Sequence, residues 1–98
     1  MLQVIPYGVA YGSNLQQVMT LVDEAVNNLN HKWVDKSKKV RSVVGELGDS
    51  SINFKMFVWT NASKKADVIS DVLRTIYDTL NQNGIEIPFP QQDVHIKQ

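Results

Sequence analysis

With 98 residues, 43% of them hydrophobic, the chain has the length of a single domain that can bury its own core. Its ten basic and ten acidic residues cancel, which excludes the strong positive field of a dedicated nucleic-acid or membrane-surface binder. Lacking cysteine, it has no disulfide, no thiol nucleophile and no cysteine-rich zinc site, and composition leaves the compartment open.

The first segment, Leu2 to Tyr11, mixes Val4, Ile5, Tyr7, Val9 and Tyr11 with Pro6 and Gly8, which predicts a strand that is irregular or at a sheet edge. After the Gly12-Ser13 turn, Ser13 with Gln16 forms a capping-box pattern. Leu15, Val18, Met19, Val22, Ala25, Val26 and Leu29 then recur at helical spacing. The apolar stripe is one face wide, so this helix should lie on a sheet with its other face in water.

Trp33 to Lys39 is polar and lysine-rich and reads as a connecting loop. Val40–Leu47 and Ser51–Thr60 read as two strands joined by the Gly48-Asp49-Ser50 reversal, a β-hairpin. In the second of these, Ile52, Phe54, Met56 and Val58 form one apolar face, while Asn53, Lys55, Phe57 and Trp59 point the other way. Asn61-Ala62-Ser63 supplies a cap for a second amphipathic helix carrying Ile69, Val72, Leu73, Ile76, Tyr77 and Leu80. Gly84 fits a left-handed stop that would bring Ile85 against Leu80.

With Ile85-Glu86-Ile87 beginning a last strand, the order is strand, helix, strand, strand, helix, strand. That order predicts an α+β, ferredoxin-like βαββαβ sandwich with both helices on one face of an antiparallel sheet. The domain should span residues 1–90, with residues 91–98 as a C-terminal extension strand. No run approaches the roughly 20 apolar residues of a membrane span, and the start lacks a signal-peptide pattern, so the piece itself should be soluble. Met1 leads directly into Leu2-Gln3-Val4-Ile5, which reads as a start set inside a longer reading frame.

Two features remain once the core is built. Pro88-Phe89-Pro90 removes amide donors just where the last strand would continue, so the chain should change direction there. Beyond it, Gln91 to Lys97 alternates, with only Val94 and Ile96 on its apolar side. Burying two side chains offers less than ordering the segment costs. Such a strand needs partner strands, from its own sheet or from other copies; an edge strand or a frayed terminus is the alternative. The second feature is Phe57 with Trp59 on the sheet face away from the helices. An aromatic pair there marks a contact with another domain or subunit, unless a loop of the same domain covers it. Trp33 poses the same alternative.

No catalytic or metal-binding constellation stands out. His31 beside a helix end and His95 on the polar side of the tail read as structural or solvated, and Asp23-Glu24 as a solvated pair. Gly48-Asp49-Ser50-Ser51 reads more simply as a turn than as an anion cradle. Lys36, Lys38, Lys39 and Arg41 form a basic run, but the strand Ser51 to Trp59 lacks the base-stacking motif of RNA-recognition modules. The expectation is a non-enzyme without metal, cofactor, nucleic acid or a specific small-molecule substrate.

Three blocks resemble the small-conductance mechanosensitive channel family: Gly8-Val9-Ala10-Tyr11-Gly12-Ser13-Asn14; Glu46-Leu47-Gly48-Asp49-Ser50-Ser51-Ile52-Asn53-Phe54 with Val58-Trp59; and Gly84-Ile85-Glu86-Ile87-Pro88-Phe89-Pro90-Gln91. The chain looks like that family's C-terminal cytoplasmic domain. One departure is the loop, where Lys36-Ser37-Lys38-Lys39 replaces prolines common in the family. The resemblance implies part of a tension-gated ion channel, usually a homoheptamer, that releases solutes during hypoosmotic shock. This piece would belong to the cage on the cytoplasmic side of the inner membrane, with the transmembrane part of the chain lying elsewhere. It further implies that the segment after the Pro-Phe-Pro bend joins its copies in a parallel β-barrel. Phe57, Trp59, Pro88, Phe89, Pro90, Val94 and Ile96 are then the subunit-interface residues. A free-standing ferredoxin-like regulatory or ligand-binding module is the alternative.

Overall fold

The computed structural model describes residues 1–29, 31–35 and 37–88. Three strands, β1 (Leu2–Val9), β2 (Arg41–Leu47) and β3 (Ile52–Trp59), form an antiparallel sheet in the order β1-β3-β2. Two helices, α1 (Leu15–Asn28) and α2 (Lys65–Gln82), pack on one face of that sheet, and a short 3₁₀ turn, Ala62–Lys64, leads into α2. The protein is an α+β sandwich of the predicted kind.

Periodicity explains the layers. Val18, Val22 and Val26 on α1, and Val68, Val72, Ile76 and Leu80 on α2, recur every four residues and are buried. They meet Ile5, Tyr7 and Val9 of β1 and Ile52, Phe54, Met56 and Val58 of β3 in one core. Tyr7 and Phe54, partners in the β1–β3 register, stack with centroids 5.0 Å apart and planes 6° from parallel.

Local signals set the element ends, with one correction. The cap of α1 is Asn14, whose Oδ1 accepts the Gln17 N–H at 3.0 Å, whereas Ser13 turns back to donate to the Ala10 carbonyl. Both residue types cap well, and the backbone turn at Gly12 decides which one occupies the extended position. At the other end of α2, Gly84 has φ +68°. The Ile85 N–H bonds to Leu80 O at 2.9 Å and the Gly84 N–H to Asn81 O at 3.2 Å, the double closure of a Schellman ending. Ile85 packs on the core, as the spacing predicts.

Asp23 also departs from expectation. It is half-buried, and its two oxygens accept the Ser42 N–H at 3.0 Å and the Ser42 hydroxyl at 2.6 Å. Tyr7 in turn donates its phenol to Ser42 Oγ at 2.8 Å. This chain of bonds fastens α1 to β2 and β1, a buried polar network with each member partnered. Asn27 adds a clasp, its amide bonding both N–H and C=O of Val40.

Pro6 sits within β1 without disturbing the sheet, for a geometric reason. Met1 and Thr60 exchange main-chain bonds, so by alternation the odd-numbered residues of β1 turn their N–H and C=O groups to β3. The even-numbered ones, Pro6 among them, face the outer edge, where a missing N–H breaks no bond to β3. Along that edge Ala10 N–H donates to Glu86 O at 2.9 Å. Ile85 to Pro88 therefore lies beside the end of β1 but forms no strand of its own. The predicted extension, residues 91–98, lies outside the described residues.

Candidate functional site

The sheet face away from the helices is the first candidate surface. Leu2 and Val4 of β1 and Phe57 and Trp59 of β3 are cross-strand neighbours on it. Val4 is 48% exposed, and Phe57 and Trp59 are half-buried. No described loop crosses to bury the two aromatics. They are partly covered by cations: the Arg41 guanidinium lies 5.9 Å from the Phe57 ring centroid and the Lys38 ammonium 4.6 Å from that of Trp59.

At one end of this face lies Trp33, half-buried and packed against the core. It is therefore a structural residue first, with an exposed flank. The bridge between Val34 and Thr60, with Asn61 N–H to Trp33 O and Asp35 N–H to Trp59 O, fixes the lysine loop to the end of β3. Within that loop the Ser37 hydroxyl and N–H hold the Asp35 carboxyl below its ordinary range.

The second candidate surface is the exit of the chain. Pro88 is half-buried and lines a cleft of about 400 Å³ with Tyr77, Asn81, Ile85, Glu86 and Ile87. Phe89, Pro90, Val94 and Ile96, predicted to act with it, lie outside the described residues. The structure thus places Phe57 and Trp59 together on one face, and Pro88 elsewhere, at the end of α2.

No group of three or more His, Asp or Glu side chains suited to a metal ion occurs among the described residues. His31 stands just beyond the end of α1, as expected, and bonds through Nε2 to Asp71 Oδ2 of α2 at 2.8 Å, while its Nδ1 accepts the Trp33 N–H.

Comparison with known proteins decides the lineage. Residues 3–87 match the family described as mechanosensitive ion channel MscS, C-terminal. The chain belongs to the MscS family. It is 31% identical over 91 residues to the small-conductance mechanosensitive channel of Helicobacter pylori, covering 92% of this chain and 32% of that protein. With the corresponding channel of Edwardsiella ictaluri it shares 32% over 91 residues, 93% of this chain and 31% of the other. The crystal structure of Helicobacter pylori MscS in its closed state superimposes with a TM-score of 0.76 at 29% identity, over 99% of this chain and 39% of that one. The chain thus spans about a third of the length of these MscS relatives. Among its described residues no helix is long and apolar enough to cross a membrane.

Proposed function

We propose that this MscS C-terminal domain forms a wall of the cytoplasmic cage of a tension-gated channel. Its work there is oligomer assembly and coarse solute filtering during hypoosmotic shock. The domain proper is residues 1–90, and residues 91–98 are the strand through which copies, seven in the intact channel, join below it. The membrane-spanning part of the protein lies in sequence this chain does not contain, and the cage hangs on the cytoplasmic side of the inner membrane. Phe57, Trp59, Pro88, Phe89, Pro90, Val94 and Ile96 are the interface residues in this reading.

The observation that carries the reading is the main-chain bond from Ala10 to Glu86 followed by proline. If the chain ran on antiparallel to β1 from that bond, Gly8 would face Pro88 and Pro6 would face Pro90. Only the Gly8 N–H could then bond across, because Pro6, Pro88 and Pro90 have none to give. The last segment has little to hold it on its own sheet, which favours partner strands from other copies.

The test is made in the full-length channel. Truncation before Gln92 should lower the oligomeric mass measured by light scattering or native mass spectrometry, and weaken survival of hypoosmotic shock. An undiminished heptamer with normal survival would remove residues 91–98 from assembly.

A further inference from the structure

We infer that the corner between Trp33 and Trp59 is a binding site for a polyphosphate anion, either free or carried by a nucleotide. The corner is a cleft of about 400 Å³ lined by Lys32, Trp33, Asp35, Lys38, Trp59 and Asn61 among others. Its walls are held by backbone, since Asp35 N–H bonds to Trp59 O at 2.9 Å and Asn61 N–H to Trp33 O at 3.1 Å. The two indoles are thereby positioned by the sheet rather than by a loop alone.

Each indole carries lysine. The Lys32 and Lys64 ammoniums stand 4.6 and 4.8 Å from the Trp33 centroid, and the Lys38 ammonium 4.6 Å from that of Trp59. A lysine laid along an indole has its stem packed and its head localised, so less side-chain freedom is lost when the head meets an anion. The attraction to the ring leaves the charge itself uncompensated. Among the described residues the only carboxylate lining the cleft is Asp35, engaged by Ser37 and 3.9 Å from the Lys38 ammonium. Lys32 and Lys38 thus line the cleft with that one carboxylate, and Lys64 adds a third ammonium on the Trp33 ring beyond the cleft's lining.

The wider charge distribution points the same way. Lys32, Lys38, Lys39, Arg41, Lys64 and Lys65 lie at this end of the strands, where β2 starts and β3 stops, against three carboxylates, Asp35, Asp67 and Asp71. Glu46, Asp49, Asp78 and Glu86 lie at the opposite end, around the hairpin turn and the close of α2. A chain with no net charge therefore presents a positive end to anions. Several ammoniums spread over two rings suit a chain of phosphates better than a single carboxylate, which one lysine could satisfy.

The chain contains only two tryptophans, and both line the cleft, so intrinsic fluorescence reports on it directly. Titration of the 98-residue chain at low salt with tripolyphosphate and with ATP should give saturable changes of similar midpoint, weakened by added salt, while adenosine gives none. The double variant Lys32→Gln/Lys38→Gln should weaken the midpoint about tenfold, two exposed charge contacts being lost. Lys55→Gln, on the middle of β3, should leave it unchanged. A non-saturating response, a midpoint the double variant retains, or binding of ATP without tripolyphosphate would each overturn the inference. Unchanged far-ultraviolet circular dichroism in both variants checks that they are folded.

Discussion

His31, just past the end of α1, and Asp71 of α2 meet at 2.8 Å, forty residues apart in sequence, and the same imidazole accepts the Trp33 N–H at its other nitrogen. The ring thereby joins the end of α1, the start of the lysine loop and the middle of α2. The His31 side chain is only 11% exposed, so Asp71→Ala leaves a donor with little water to replace its partner. That substitution should cost about 1 kcal/mol in urea unfolding. Asp71→Asn keeps an oxygen acceptor and should cost less; equal losses from both would show that the bond contributes nothing.

Gly84 isolates a backbone effect. Its φ is +68°, and a Cβ built there would meet no atom within 4 Å, so any loss on substitution comes from the left-handed conformation alone. Gly84→Ala should destabilise by about 1 kcal/mol, Gly84→Val by more and Gly84→Asn by less. The order of the three thermal midpoints is the measurement, and a Val variant as stable as Asn would contradict it.

Both elements show what could be read from the chain and what could not. The Schellman ending was legible because Gly84 and Ile85 stand at fixed offsets from Leu80, and the layers because Val18, Val22 and Val26, or Ile52, Phe54, Met56 and Val58, keep one period. The bond between His31 and Asp71 was not, since a single sequence does not reveal which polar residue of a loop comes opposite which residue of a distant helix. Asp23 was misread for the same reason: its partner Ser42 lies on a strand that only the fold brings near. The register slip in β2 between Val44 and Glu46, which leaves Gly45 unpaired, depends on β3 opposite and carries no local signal beyond the glycine. The open face was legible, with Phe57 and Trp59 correctly placed opposite the core, but the cations laid over them were not.

Burial pushes the Tyr7 phenol well above its ordinary range, more than its bond to Ser42 pulls it down. In the unfolded chain it ionises near pH 10. The folded form therefore binds the proton more tightly, and stability is fully present below about pH 10 and falls as pH rises through the interval up to the folded value. The loss approaches roughly 1.4 kcal/mol per pH unit for this one group. Urea midpoints taken from pH 8 to pH 12 should show the decline, and Tyr7→Phe should flatten it while costing about 1 kcal/mol at neutral pH for the lost bond. A Tyr7→Phe variant with the same alkaline slope would assign the decline elsewhere.

Phe54 and Phe57 lie on one strand with opposite fates, and they separate folding from assembly. Phe54 is fully buried against Tyr7, so Phe54→Ala should cost about 3–5 kcal/mol in the isolated chain. Phe57 is half-buried on the open face, and Phe57→Ser removes a ring that water already partly reaches, a loss of about 1 kcal/mol. If that face is a contact between copies or domains, the same substitution, paired with Val4→Ser beside it, should weaken the full-length oligomer more than it weakens the fold. The comparison needs two numbers, the urea stability of the 98-residue chain and the oligomeric mass of the channel on dilution. A double variant that is destabilised as a monomer yet assembles like the parent would return the open face to an ordinary solvated surface.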